Sequence, residues 1–320
     1  MINPSWRWIL GGVSFLLLTG CTVSATYNNL DRLARWQIAD YVDFDDRQDA
    51  YFRAELDRVL YWHRVSELPV YAERLDGLAR EINQEFTEPT LEAMIQDVRT
   101  WAERIEAEAM SMTIELMLSL TDAQVAELPA RLEKANAEFA EDELDVDLSE
   151  VRENWADSMV DGAKYFMGSL TREQRDYVQA QSLRYQPEQV MWVEYRRRWQ
   201  AAFLEALSGR REATAFATRY RQLVKERESF WSPEFTSVSK SNDALRRDVT
   251  LMLLRTANDQ QRERMTERLS GFSEDFRELT AEAEIPGPSG GGCLIRCPSS
   301  GQSSQIRSDS RGSSSNQASR

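Results

Sequence analysis

The feature that most constrains this chain is a set of apolar stripes with helical spacing and nothing with strand spacing. From Leu91 the apolar positions run Met94, Ile95, Val98, Trp101, Ala102, Ile105, Ala109, Met112 and Leu116. Steps of three and four place them on one face of a single long helix. Met265, Leu269, Phe272, Phe276 and Leu279 repeat as 4-3-4-3, the seam of helices packed at shallow angles as in coiled coils. Val151, Trp155, Met159, Ala163 and Phe166 form a third stripe. No segment alternates apolar and polar residues between hairpin turns. The fold class is therefore all-α: an elongated multi-helix bundle of long amphipathic helices.

Helix breaks are expected at Pro69, Pro89, Pro129, Pro187 and Pro233, and at Gly209. Residues 286–320 change composition to Gly, Ser, Gln and Arg, with little apolar surface to offset the entropy of ordering, and are expected to be a disordered tail. The organisation expected is a leader over 1–20, a helical body over 21–285, and the tail.

The leader carries Arg7 and an apolar run from Ile9 to Leu18, too short to span a bilayer core of roughly 30 Å. It ends in Leu18-Thr19-Gly20-Cys21. This order resembles the lipobox of bacterial lipoproteins, in which the signal is cut before a cysteine that is then acylated. The resemblance implies a mature chain anchored by acyl chains (palmitate among them) on Cys21. Thr22, in place of an Asp, implies sorting to the outer membrane, with the body facing the periplasm. Cys293 and Cys297 are the other two cysteines, four apart in the tail, where an exported protein is free to form a small disulfide loop.

The net charge of −14 is uneven: the tail holds four arginines against Asp309 and the leader holds Arg7, which leaves −18 for the body. Phosphate backbones repel such a surface, so nucleic acid is not an expected partner. Acyl chains, not basic patches, are expected to supply membrane affinity.

Leu120-Thr121-Asp122-Ala123-Gln124 and Leu170-Thr171-Arg172-Glu173-Gln174 share the form L-T-x-x-Q. Phe44-Asp45-Asp46-Arg47-Gln48 is a variant and Asn258-Asp259-Gln260-Gln261 a weaker one. The form suits a helix start: the first polar side chain accepts from a backbone N–H three residues on, and the glutamine reaches back. L-T-x-x-Q is also similar to the signature of Spy-type periplasmic chaperones, which cradle unfolded clients. Here that resemblance covers five-residue segments at irregular spacing.

A wider resemblance runs through most of the chain after Cys21. It rests on Tyr27-Asn28-Asn29, Tyr41-Val42-Asp43-Phe44-Asp45, Trp62-His63-Arg64 with Glu67-Leu68-Pro69 and Tyr71, Asn136-Ala137-Glu138-Phe139, and Asn258-Asp259-Gln260-Gln261-Arg262. In this order they resemble an uncharacterised family of helical lipoproteins from Gram-negative bacteria, a domain of unknown function. It implies an envelope lipoprotein and brings no catalytic residue.

His63 is the only histidine. Phe52, Leu56, Val59 and His63 share a helix face with Glu67 one turn on, so Trp62, His63, Arg64 and Glu67 are the candidate functional residues. Two readings compete: a core histidine satisfied by hydrogen bonds, or a general base paired with a carboxylate in an envelope enzyme. No Gly-x-Ser-x-Gly elbow accompanies it and no second histidine exists for a zinc triad, so no metal and no cofactor is expected. Asp40, Asp43, Asp45, Asp46 and Asp49 crowd one helix start, where acids favour the positive end of the dipole. Trp192, Tyr195 and Trp199 alternate with Arg196, Arg197 and Arg198, arginines expected to pair with neighbouring acids. The expectation is a non-catalytic envelope protein that binds another protein or an envelope component.

Overall fold

The computed structural model describes residues 27–84 and 86–284. The leader, Cys21, Cys293 and Cys297, and the tail lie outside the described residues. Every regular element described is helical. In chain order they are α1 (Leu30–Ala39), α2 (Asp46–Trp62), a π-helical turn (His63–Glu67), α3 (Leu68–Glu81), α4 (Glu88–Ser119), α5 (Asp122–Leu144) and α6 (Leu148–Met167). There follow α7 (Arg172–Ser182), α8 (Gln189–Ser208), α9 (Ala213–Lys225), a 3-10 turn (Arg227–Phe230), α10 (Pro233–Arg255) and α11 (Asp259–Glu284). No described helix is long and apolar enough to cross a membrane.

The longest helix, α4, spans 32 residues, about 48 Å at 1.5 Å per residue, and its stripe is divided along its length. Leu91, Met94 and Ile95 pack into one core with Trp155, Val249 and Leu269. Trp101 joins Tyr27, Leu68, Tyr71 and Leu279. Ala109, Met112 and Leu116 pack with Phe52, and Ile114 faces Leu120, Leu207 and Phe216. One amphipathic surface thus serves four apolar clusters.

α3 and α11 run antiparallel. Arg277 pairs with Asp76, the Ser273 hydroxyl donates to Ala72 O at 3.0 Å, and Asn83 donates to Thr266 at 3.1 Å. The 4-3-4-3 stripe lies at this seam, with Met265, Leu269 and Leu279 buried. Antiparallel pairing also joins α5 to α8 through Asp122–Arg210 and Glu133–Arg197. The third stripe is buried only at its start: Val151 and Trp155 are covered, whereas Phe166 is 40% exposed.

Two expected breaks are corrected. Pro129 lies inside α5, where its missing N–H forfeits one helical bond; Leu128 and Leu132, packed in the second core, hold the helix across it. Pro69 does not interrupt the run from Asp46 to Glu81. It cannot bond to the carbonyl four residues back and its ring crowds that carbonyl. The turn before it widens into the π-helix, and the Leu68 N–H reaches His63 O five residues back. After α6, Gly168 at φ 75° supplies the left-handed turn that sets up the next helix start.

All four motifs are helix starts with reciprocal caps. Asp45, Thr121 and Thr171 accept from the backbone N–H of Gln48, Gln124 and Gln174, whose side chains accept from the cap N–H in return. Asn258 and Gln261 do the same at 2.9 and 3.1 Å. The motifs also meet in pairs. Gln48 Nε2 donates to Gln124 Oε1 at 3.1 Å, and Gln124 Nε2 donates to Gln48 Oε1 at 2.8 Å. Each Nε2 gives its second hydrogen to the carbonyl two residues before the partner cap, Ser119 O at 2.9 Å and Asp43 O at 2.6 Å. Gln174 and Gln261 repeat the arrangement at 3.1 and 2.8 Å, with Thr256 O and Ser169 O as the carbonyls. Each clasp pins two helix starts, 76 or 87 residues apart in the chain, against each other.

Candidate functional site

The segments around Tyr27 and His63, 36 residues apart in the chain, meet. The Tyr27 hydroxyl lies 2.8 Å from His63 Nδ1 and 3.3 Å from Leu60 O. The two rings stack at 5.7 Å, and Tyr71 meets the imidazole edge-on at 5.5 Å. Trp62 tilts against His63 at 6.4 Å, and Trp101 packs on Tyr71 at 4.2 Å. Arg64 lies over the Tyr27 ring at 4.9 Å and donates to Asn28 Oδ1 at 2.6 Å. The π-turn sets this geometry: its carbonyls are displaced from α-helical register, and Arg64 O is free to accept from the Thr280 hydroxyl of α11 at 3.0 Å.

Burial and the neighbouring Arg64 guanidinium lower the His63 pKa from 6.5 to about 4. Desolvation raises the Tyr27 phenol to about 12, partly opposed by Arg64. Burial, helped by Glu67, raises Tyr71 above its usual range. At neutral pH this is a cluster of uncharged rings around a neutral imidazole.

His63 and Glu67, which the enzymatic reading would pair, each take another partner. Glu67 is completely buried and its Oε1 accepts from Arg104 of α4 at 2.6 Å. A buried carboxylate needs an opposite charge, which the neutral imidazole does not offer. Glu67 Oε2 and the Tyr71 hydroxyl, on residues one helical turn apart, are buried without a hydrogen-bond partner. Trp62, His63, Arg64 and Glu67 therefore belong to one cluster, with Tyr27, Asn28, Tyr71 and Arg104 as members not singled out as site residues. The turn from Trp62 to Tyr71 was legible; Arg104 on a distant helix carries no local signal.

The other candidates are absorbed by packing. Trp192 and Tyr195 are buried, and Trp199 Nε1 donates to Leu223 O at 3.1 Å. Arg197 pairs with Glu133 at 2.7 Å and Arg196 covers Phe139. Among the acids at the α2 start, Asp45 is the cap, Asp43 pairs with Arg131, and Asp49 pairs with Arg53. Trp36 stands outside this packing, 67% exposed on α1.

The chain belongs to a family described as Family of unknown function (DUF6279), which matches residues 40–236. The matched span includes the π-turn, Glu67 and Arg104; Tyr27 and α11 fall outside it. No curated protein and no solved structure matches the chain.

Proposed function

We propose that this member of the family is a lipid-anchored protein of the Gram-negative envelope, held at the outer membrane through acyl chains on Cys21. Its helical body faces the periplasm and binds another protein or an envelope component without catalysing a reaction. The observation that carries the reading is the Leu18-Thr19-Gly20-Cys21 order after a short apolar run. Tyr27 follows Cys21 by six residues, so a lipid there would hold the body within about 20 Å of the bilayer surface. The acidic body supports an anchor of acyl chains over one of basic contacts.

Two details weigh against the enzymatic alternative. His63 is a poor base near neutral pH, and its Nδ1 is taken up by Tyr27. Glu67 is engaged by Arg104. The enzymatic alternative would draw on His63 and the unpartnered Oε2 of Glu67. Chaperone-like holding of unfolded clients is one form of the binding role, and near-stoichiometric suppression of aggregation would identify it.

The anchor is tested by Cys21→Ala. Acyl labelling and membrane fractionation should both disappear; a wild-type chain that takes no acyl label ends the reading. The binding role is tested by in-cell cross-linking across the helical body. Adducts with a defined envelope component are expected, and their absence from every exposed face would remove the role.

A further inference from the structure

A cleft of about 630 Å³ opens between α4, α6, α8 and α10, within the range of natural ligand sites. Its wall is aromatic and aliphatic, with Ile95, Trp155, Tyr195, Trp231 and Phe235 on four helices and the segment before α10. Four buried N–H donors on this wall make no hydrogen bond; Arg247 Nε still lies 2.8 Å from its ion-pair partner Glu92, which leaves three with no acceptor, Arg99 Nε, Trp155 Nε1 and Trp231 Nε1. Each such group left unmatched costs about 1–3 kcal/mol. The His63 cluster differs, because there the orphans are mixed: Glu67 Oε2 is an acceptor, the Tyr71 hydroxyl can be either, and Arg64 Nε is a donor. In the cleft every orphan is an N–H, and the three come from three separate elements, so a single bridging group does not serve them.

The charges of the cleft are equally one-sided. Arg227 pairs with Glu106, Arg246 with Glu188 and Asp243, and Arg247 with Glu92. Arg99 forms no ion pair among the described residues. Asp142, Glu143, Glu150 and Glu228 also line the cleft and form none; all but Glu143 are exposed. The unmatched charge is thus four acids against one arginine.

We propose that this cleft binds an extended polypeptide segment that mixes apolar and basic residues, a reading that rests on the binding role above and gives it a site. An extended backbone presents a carbonyl at every residue, which suits donors distributed over three elements once side-chain rotation brings those N–H groups, closed to solvent in the free protein, to the cleft surface. Its apolar side chains suit the aromatic wall, and its Lys or Arg residues suit the acids. An acyl lipid concentrates its acceptors in one headgroup. A neutral saccharide carries no cation to answer the four unpaired acids.

The test uses the full acylated chain in zwitterionic-lipid nanodiscs, with empty discs as background. The probe is a fluorescein-labelled decapeptide alternating Lys with Leu and Phe. Binding should be in the range of about 10 μM, and a peptide with Glu in place of Lys should bind at least about tenfold more weakly. Arg99→Met should weaken binding about fivefold without lowering the melting temperature, because it removes an unmatched donor; Trp231→Phe should weaken binding as much, with a small drop in melting temperature from lost packing on Tyr195 and Phe235. Glu143→Gln with Glu150→Gln, changes at the surface that leave the core intact, should weaken binding about threefold and flatten its salt dependence.

Equal affinity for the Lys and Glu peptides would overturn the proposal. So would variants indistinguishable from wild type, or a monoacyl phospholipid or chitotriose binding where the peptide does not. Loss of peptide binding with acyl labelling and cross-linked partners intact would fall on the cleft alone. Loss of labelling with peptide binding intact would fall on the anchor alone.

Discussion

A lone histidine makes its own titration readable. His63 is the only imidazole in the chain, so its ring resonances in an NMR titration report one site. The midpoint should fall near pH 4 and not near 6.5; a midpoint near 6.5 would mean that the Tyr27–Tyr71 cage is open. The same displacement predicts how stability varies with acid. The unfolded chain takes up this proton below about pH 6.5 and the folded chain only near 4, so the His63 contribution is intact above 6.5 and is lost as pH falls between the two values. The loss should be about 3 kcal/mol, and His63→Gln should remove that part of the slope in urea melts taken at several pH values. Glu67 tests the opposite sign of charge. Arg104→Met strands a buried carboxylate and should destabilise by about 3 kcal/mol. Adding Glu67→Gln should recover most of that; no recovery would mean that Arg104 acts through packing.

At the scale of elements, each glutamine clasp joins a local capping rule to a long-range contact. Thr171→Ala, which removes only the cap, should cost about 1 kcal/mol. Gln174→Ala should cost more, because it also strips Gln261, buried in the clasp, of its partner. A double-mutant cycle of Gln174→Ala and Gln261→Ala should return a coupling of about 1 kcal/mol or more. Additive losses would show that the two amides are merely neighbours. The π-turn shows the same join of local and distant causes. Pro69 makes an α-helical turn there unfavourable, and contacts from Tyr27, Arg104 and α11 hold the widened one.

For the whole molecule, α4 contributes side chains to four apolar clusters. A helix shared in this way ties the cores together, so the body should unfold as one unit despite its length. Tryptophan fluorescence and far-UV circular dichroism should report coincident denaturant transitions; two resolved steps would mean that the clusters are separable.

The all-α class, most helix spans and the four helix starts could be read from the chain, because helical periodicity and caps are expressed within a few residues of sequence. The aromatic rings around His63 and the acids of the cleft were visible as residue types, yet not as neighbours. Which glutamine faces which, that Glu67 is answered by Arg104 and His63 by Tyr27, and that the orphan donors of α4, α6 and the Trp231 segment share one wall, all depend on packing between helices far apart in the chain. A buried polar group takes its partner from whatever element folding brings beside it, and no local spacing encodes that choice.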